Sequence, residues 1–211
     1  INRTGITVTG LQYDLDYKIS PNFGLDVPME QISKGNGGSC VLSAYSSSVI
    51  NLSNHLTTSL GITAQYFTLN KNWTVEPRAA LKWSFNPKHA LALAYGLHSR
   101  REKLDYYFVE QEANGKTESN RYLDFSKAHH FGLTYDWNIN SYMHLKVEPY
   151  YQYLFRIPVE ENSSFSIINH QSFYLDRILK NRGSGVNYGI DITLEQYMKN
   201  GFYYMITASL F

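Results

Sequence analysis

No run of about 18 apolar residues occurs in this chain, so a transmembrane helix is excluded. Cysteine is nearly absent: the single Cys40 cannot close an internal disulfide, and no crosslinked framework reports an oxidising compartment. Charge is sparse as well. Only 18% of the 211 residues are Asp, Glu, Lys or Arg, against roughly a quarter in ordinary domains. The 19 basic and 18 acidic residues are spread along the chain to a net charge of +1, which leaves no electrostatic footprint for a nucleic-acid partner. The N-terminus, Ile1-Asn2-Arg3-Thr4-Gly5, is not a signal peptide. An exported protein needs one, so the expectation is a chain trimmed from something longer.

What the chain has in quantity is aromatic residues, 18 Tyr, 11 Phe and 3 Trp, and strict alternation. Period two places successive side chains on opposite faces of a strand. Val186, Tyr188, Ile190, Ile192 and Leu194 oppose Asn187, Gly189, Asp191, Thr193 and Glu195. Met143, Leu145, Val147, Pro149, Tyr151 and Tyr153 oppose His144, Lys146, Glu148, Tyr150 and Gln152. The same pattern runs through 56–66, 73–85, 89–98, 130–137 and 202–210. Weaker candidates lie at about 5–17, where the phase changes near Gly10 and a bulge is expected, and at 40–51, which is rich in Ser. No amphipathic helix, linker or solenoid repeat interrupts them.

Connection lengths alternate. Short turns are expected near Leu52–Asn54, Asn86–Lys88, Asn138–Ser141 and Lys199–Gly201, and long segments at 18–39, 99–127 and 157–184, with one short exception near Asn70–Asn72. Transmembrane barrels place short turns on one side and long loops on the other. Trp73, Trp83, Tyr135 and Trp137 fall near strand ends, where aromatic girdles would sit, while Arg78, Lys82, Lys146, Glu148, Asp191 and Glu195 put charge on the opposite faces. The expected fold class is therefore all-β, an antiparallel up-and-down meander of about nine strands forming part of a transmembrane β-barrel. Residues 1–211 read as one partial barrel region. A small self-contained barrel, either a passive pore or a soluble ligand-binding barrel, is the alternative.

Candidate chemistry is thin. His129 and His130 are neighbours on a strand, point to opposite faces and cannot share one metal ion. Asp14 with Asp16 and Asp191 with Glu195 share faces, but the second pair is separated by about 13 Å along the strand, too far to act on one bond. A hydrolase built from a Ser, His98 or His130 and a carboxylate is a second alternative, and no spacing singles out such a set. Gly183-Ser184-Gly185 reads as a flexible loop element rather than a nucleophile motif. Gly35-Asn36-Gly37-Gly38 lacks the Lys and the helix of a phosphate loop. No catalytic residue, metal or cofactor is expected. Substrate contact would come from the long loops, through Arg100, Arg101, Tyr106 and Tyr107 in one and Phe165, His170, Tyr174 and Arg177 in another. Rings beside hydrogen-bonding groups suit a small molecule, a peptide or a sugar, and packing of loop against loop is the plainer reading.

Several consecutive words carry a family resemblance: TVEPR (74–78), FNPKHALALAYGLHS (85–99), SKAHHFGLTYDWNIN (126–140), EPYYQYLFRIPVEENSSFSIIN (148–169) and NYGIDITLEQYMKNGFYYMITASLF (187–211). They resemble the barrel portion of a TonB-dependent outer-membrane receptor of the type that carries carboxypeptidase-regulatory-like and plug domains. The resemblance implies a location in the outer membrane, lipid around the wall, and a barrel of about 22 strands closed around a plug. It implies active uptake of a substrate driven through the TonB complex. The plug, the TonB-contacting segment and the signal peptide lie outside these residues, so this chain is expected to be a fragment of the wall.

Overall fold

The computed structural model describes residues 1–20, 28–113 and 115–211. Nine long strands form one antiparallel sheet in chain order: β1 (Asn2–Ile19), β2 (Glu30–Asn51), β3 (Leu56–Phe67), β4 (Asn72–Asn86), β5 (His89–Arg100), β8 (Ser126–Asn140), β9 (Met143–Val159), β10 (Lys180–Lys199) and β11 (Phe202–Leu210). A two-stranded hairpin, β6 (Glu110–Ala113) with β7 (Lys116–Ser119), stands apart in the β5–β8 connection. The sheet is an up-and-down meander, as the alternation requires.

The register lines up the faces read from the sequence. Leu42, Tyr66 and Trp73 follow one another across β2, β3 and β4, and Leu93 and Leu133 pair across β5 and β8. Tyr151 and Tyr188 pair across β9 and β10. These residues form a continuous apolar face. It is open rather than packed: Trp73 is 67% exposed, Trp83 51% and Leu60 50%. A patch this wide on a water-soluble monomer would drive association.

Aromatic side chains bound the apolar face. At the end with the short turns, Trp83 meets Phe85 at 5.2 Å, and His89 stacks on Phe85 at 5.8 Å and on Trp137 at 5.7 Å. The Tyr135 hydroxyl lies 2.8 Å from His89 Nδ1. Toward the other end Tyr153, Phe155 and His129 stack in sequence at 6.1 and 4.9 Å. Trp73 and Trp83 lie ten residues apart on β4, about 33 Å of strand, which a tilt near 40° reduces to roughly 25 Å, the height of a transmembrane apolar band.

The expected bulge at Gly10 does not occur. Pairing runs unbroken from Asn2↔Ser48 through Gly10↔Cys40 to Tyr17↔Ser33, and the register shifts only between Tyr17 and Lys18. The phase changes because the partners change. Ile6 and Val8 lie on the open apolar face, whereas Leu11, Tyr13 and Leu15 point to the other face, where a buried core covers them. Apolar residues therefore switch parity without an inserted residue.

That switch also explains why the strands are longer than expected. β2 begins at Glu30 rather than near residue 40, β9 runs to Val159 and β10 starts at Lys180. Beyond the open apolar face the alternation no longer sorts an apolar side from a polar one, so the sequence reads as loop. Gly183-Ser184-Gly185 lies inside β10, not in a loop, with a register shift at Gly183, where a Cβ would overlap Val159 and the Ile157 carbonyl. Gly35 to Gly38 lie inside β2, where a Cβ on Gly35 would overlap the Phe108 ring. The missing side chain at Gly35 is a seat for Phe108 of the β5–β8 connection.

Candidate ligand site at the loop end of the sheet

The buried core of this molecule lies under its loops. Ile32, Val41 and Phe67 from the strands enclose Tyr107, Phe108, Val109, Leu123, Phe125, Leu175 and Leu179 from the β5–β8 and β9–β10 connections. The β5–β8 connection folds down on the polar face of the sheet: Phe108 packs on Tyr13 at 4.7 Å and Tyr107 meets Phe67 edge-on at 5.4 Å. Two connections distant in sequence thus make one cap.

Asn120 fastens the connections together. Its side-chain amide donates to the Arg177 carbonyl at 2.8 Å, its side-chain oxygen accepts the Leu179 N–H at 2.7 Å, and its own N–H donates to the Val109 carbonyl at 3.1 Å. Asn181 plays a similar part, accepting from the Asp124 N–H at 2.8 Å and donating to the Arg156 carbonyl at 2.8 Å. Neither was singled out from sequence, because an Asn in a polar loop carries no signal until its partners are known. Asn120→Ala is expected to destabilise the cap by about 1–3 kcal/mol, since it strands buried backbone groups. Hydrogen exchange of the amides of residues 175–181 should accelerate, with those of β8 and β9 unchanged.

The structure gathers the residues predicted for substrate contact, although they come from separate loops. Arg100, Arg101, Lys103, Tyr106, Ile168 and His170 line a cavity of about 590 Å³. Tyr106 meets the His170 ring edge-on at 6.0 Å, His170 meets Phe165 at 5.3 Å, and the Arg177 guanidinium lies 4.8 Å from the Phe165 ring centre. His170 Nε2 lies 2.8 Å from the Tyr174 carbonyl, and Tyr174 packs toward Tyr17 at 5.9 Å. Phe165, Tyr174 and Arg177 are thus one layer behind the cavity. Tyr107 is only 1% exposed and its hydroxyl accepts the Glu102 N–H at 3.2 Å, so it serves the core. Burial pushes that hydroxyl up to about 12.

Most acidic groups of the cap are matched. Arg177 pairs with Glu160 at 2.6 Å, and Lys180 and Arg182 both reach Glu161. Hydrogen bonds from Ser163 and then Arg177 hold the Glu160 carboxyl below its ordinary range, and Lys180 does the same for Glu161. Arg156 pairs with Asp124 at 2.5 Å. The Glu102 carboxylate is buried, accepts from Ser126 Oγ at 2.5 Å and lies 3.6 Å from Arg100.

Below the cap, the polar face of the sheet carries its own ladder. Glu76, only 2% exposed, accepts from Gln65 at 2.7 Å, from Arg78 at 2.9 Å and from Ser99. Farther down, His144 lies 3.1 Å from Asp136, and Lys146 pairs with Glu148 at 2.7 Å. A concavity of about 790 Å³ runs beside Glu76, Arg78, His98, His130 and Gln152. The two adjacent histidines separate as expected: His129 turns to the apolar face, 3.0 Å from the Tyr95 hydroxyl, while His130 meets His98 at 4.5 Å on the polar face. Among the described residues no group of three His, Cys, Asp or Glu side chains could hold a metal ion.

No protein-family model matches the chain, and no curated protein matches it. Among solved structures it is similar to the FrpB iron transporter from Neisseria meningitidis (F3-3 variant), with a TM-score of 0.54 and 11% identity over 77% of this chain. The match spans 24% of the transporter's length. At that identity the likeness shows the fold: an antiparallel meander consistent with part of a β-barrel.

Proposed function

We propose that this chain is part of the barrel wall of a TonB-dependent outer-membrane receptor, serving uptake of a substrate and not catalysis. One observation carries the reading: an exposed apolar face about as tall as a hydrocarbon layer, bounded by aromatic residues, on a meander whose other face is charged. The cap then faces the outside and the short turns the periplasm, the TonB complex acting through a plug. The likeness to an iron transporter supports transport as the class of function. Pairing speaks against the self-contained barrel: among the described residues no hydrogen-bonded register joins β1 to β11. Open edges are not tolerated in lipid, so further strands are needed on both sides.

The test uses vesicles whose lipids carry bromine on the acyl chains, which quenches nearby indoles. Trp73, Trp83 and Trp137 all lie on the apolar face, so their fluorescence should fall strongly on reconstitution. Mass spectrometry of the outer-membrane fraction should find these peptides with flanking sequence on both sides. A protein that stays monodisperse in water without detergent, with unquenched fluorescence, would overturn the reading.

A further inference from the structure

The cavity at the loop end has an unbalanced charge. Among the described residues Arg101 and Lys103 form no ion pair, while Glu160, Glu161, Asp124 and Asp176 all do. Their cations rest on rings instead: the Arg101 guanidinium lies 5.9 Å from the centre of Phe67, and the Lys103 ammonium 5.4 Å from that of Tyr106. A ring contact holds a cation in place without neutralising it. The one carboxylate in the lining, Glu102, is buried and already engaged by Ser126 and Arg100. Tyr106 and the Ile167–Asn169 turn supply the rest of the wall, so the cavity is part cationic and part apolar.

We propose that this cavity binds an organic anion, a carboxylate or phosphate whose charge lies between Arg101 and Lys103 and whose carbon part rests on Ile168 and His170. Two charge-assisted contacts to one oxyanion supply affinity, and Arg101 supplies a planar fork suited to either group. An unneutralised pair of cations at the mouth also raises the local concentration of anions. This names a substrate class for the uptake reading and rests on it only for the direction of passage.

Calorimetric titration of the protein in detergent micelles tests the site with three probes: glucose 6-phosphate, glucose and citrate. Glucose 6-phosphate or citrate should bind, glucose should not, and added salt should weaken the complex. Arg101→Gln combined with Lys103→Gln should lower the affinity at least tenfold. Arg101→Lys, which keeps the charge but gives up the fork, should bind more weakly than the parent and more tightly than the double variant, and Lys116→Gln, which removes a charge in the β6–β7 hairpin, should leave binding unchanged. Failure of both anions to bind, equal binding of glucose, or a double variant that binds like the parent overturns the proposal. Quenching in brominated vesicles is read on the same preparation. Binding without insertion would sink the uptake reading alone, and insertion without anion binding would sink this one alone.

Discussion

On the barrel-wall reading, Leu60→Arg is expected to destabilise the inserted protein by about 2–4 kcal/mol, the cost of a cation near the middle of a lipid-facing band. Leu60 lies on the apolar face opposite Ala79, between Trp73 and Trp83 on the neighbouring strand, and is half exposed. The same substitution one residue earlier, Ser59→Arg, puts the guanidinium on the polar face beside Ala80. There it meets water and other polar groups, and the change should stay within about 0.5 kcal/mol. The contrast is read from urea unfolding in vesicles, where the Leu60 variant should lose roughly 30- to 900-fold in its folding equilibrium. In a water-soluble sheet the order reverses, because charging an exposed leucine would aid solubility. Equal effects at the two positions would remove the lipid-facing assignment.

Tyr107→Ala should cost about 3–5 kcal/mol, the range for deleting a fully buried aromatic ring. The loss falls on the cap and not on the wall. Tyr107 fills the space between Phe67 and the β5–β8 connection, and its hydroxyl takes the Glu102 N–H that orients the segment bearing Arg101 and Lys103. Trypsin should then cleave at Arg101, Lys103 and Arg121 while the long strands of the sheet stay protected. Tyr107→Phe keeps the ring and gives up one hydrogen bond, so about 1 kcal/mol is expected and the cap should remain resistant. Cleavage of the wall together with the cap would show that the loops and the sheet fold as one unit.

The wall was legible from period two, because in a half-buried sheet each residue meets one of only two environments. Val186 to Leu194 and Met143 to Tyr153 take the faces that alternation assigned, and β10 pairs with β9 in the register that keeps those faces together. Legibility ended where a third environment appeared. At Leu11 and Tyr13 apolar side chains turn away from the open face because Phe108 covers them, and from sequence that looks like a bulge at Gly10. The extensions of β2, β9 and β10 were hidden for the same reason.

The loops divide along a similar line. The residue types suited to a ligand, Arg100, Arg101, Tyr106 and His170, could be nominated one by one from their chemistry. Whether each is wall, core or support depended on contacts between connections some 60 residues apart, such as Asn120 with Leu179. Tyr106 and Tyr107 are adjacent, chemically identical and both buried, yet only Tyr106 borders the cavity, while Tyr107 turns to Phe67. Sequence by itself determined the strands and their two faces, since alternation is local and each residue carries its own preference for apolar or polar surroundings. Only the tertiary structure decided which cations remain unmatched, because charge pairing depends on which loops meet.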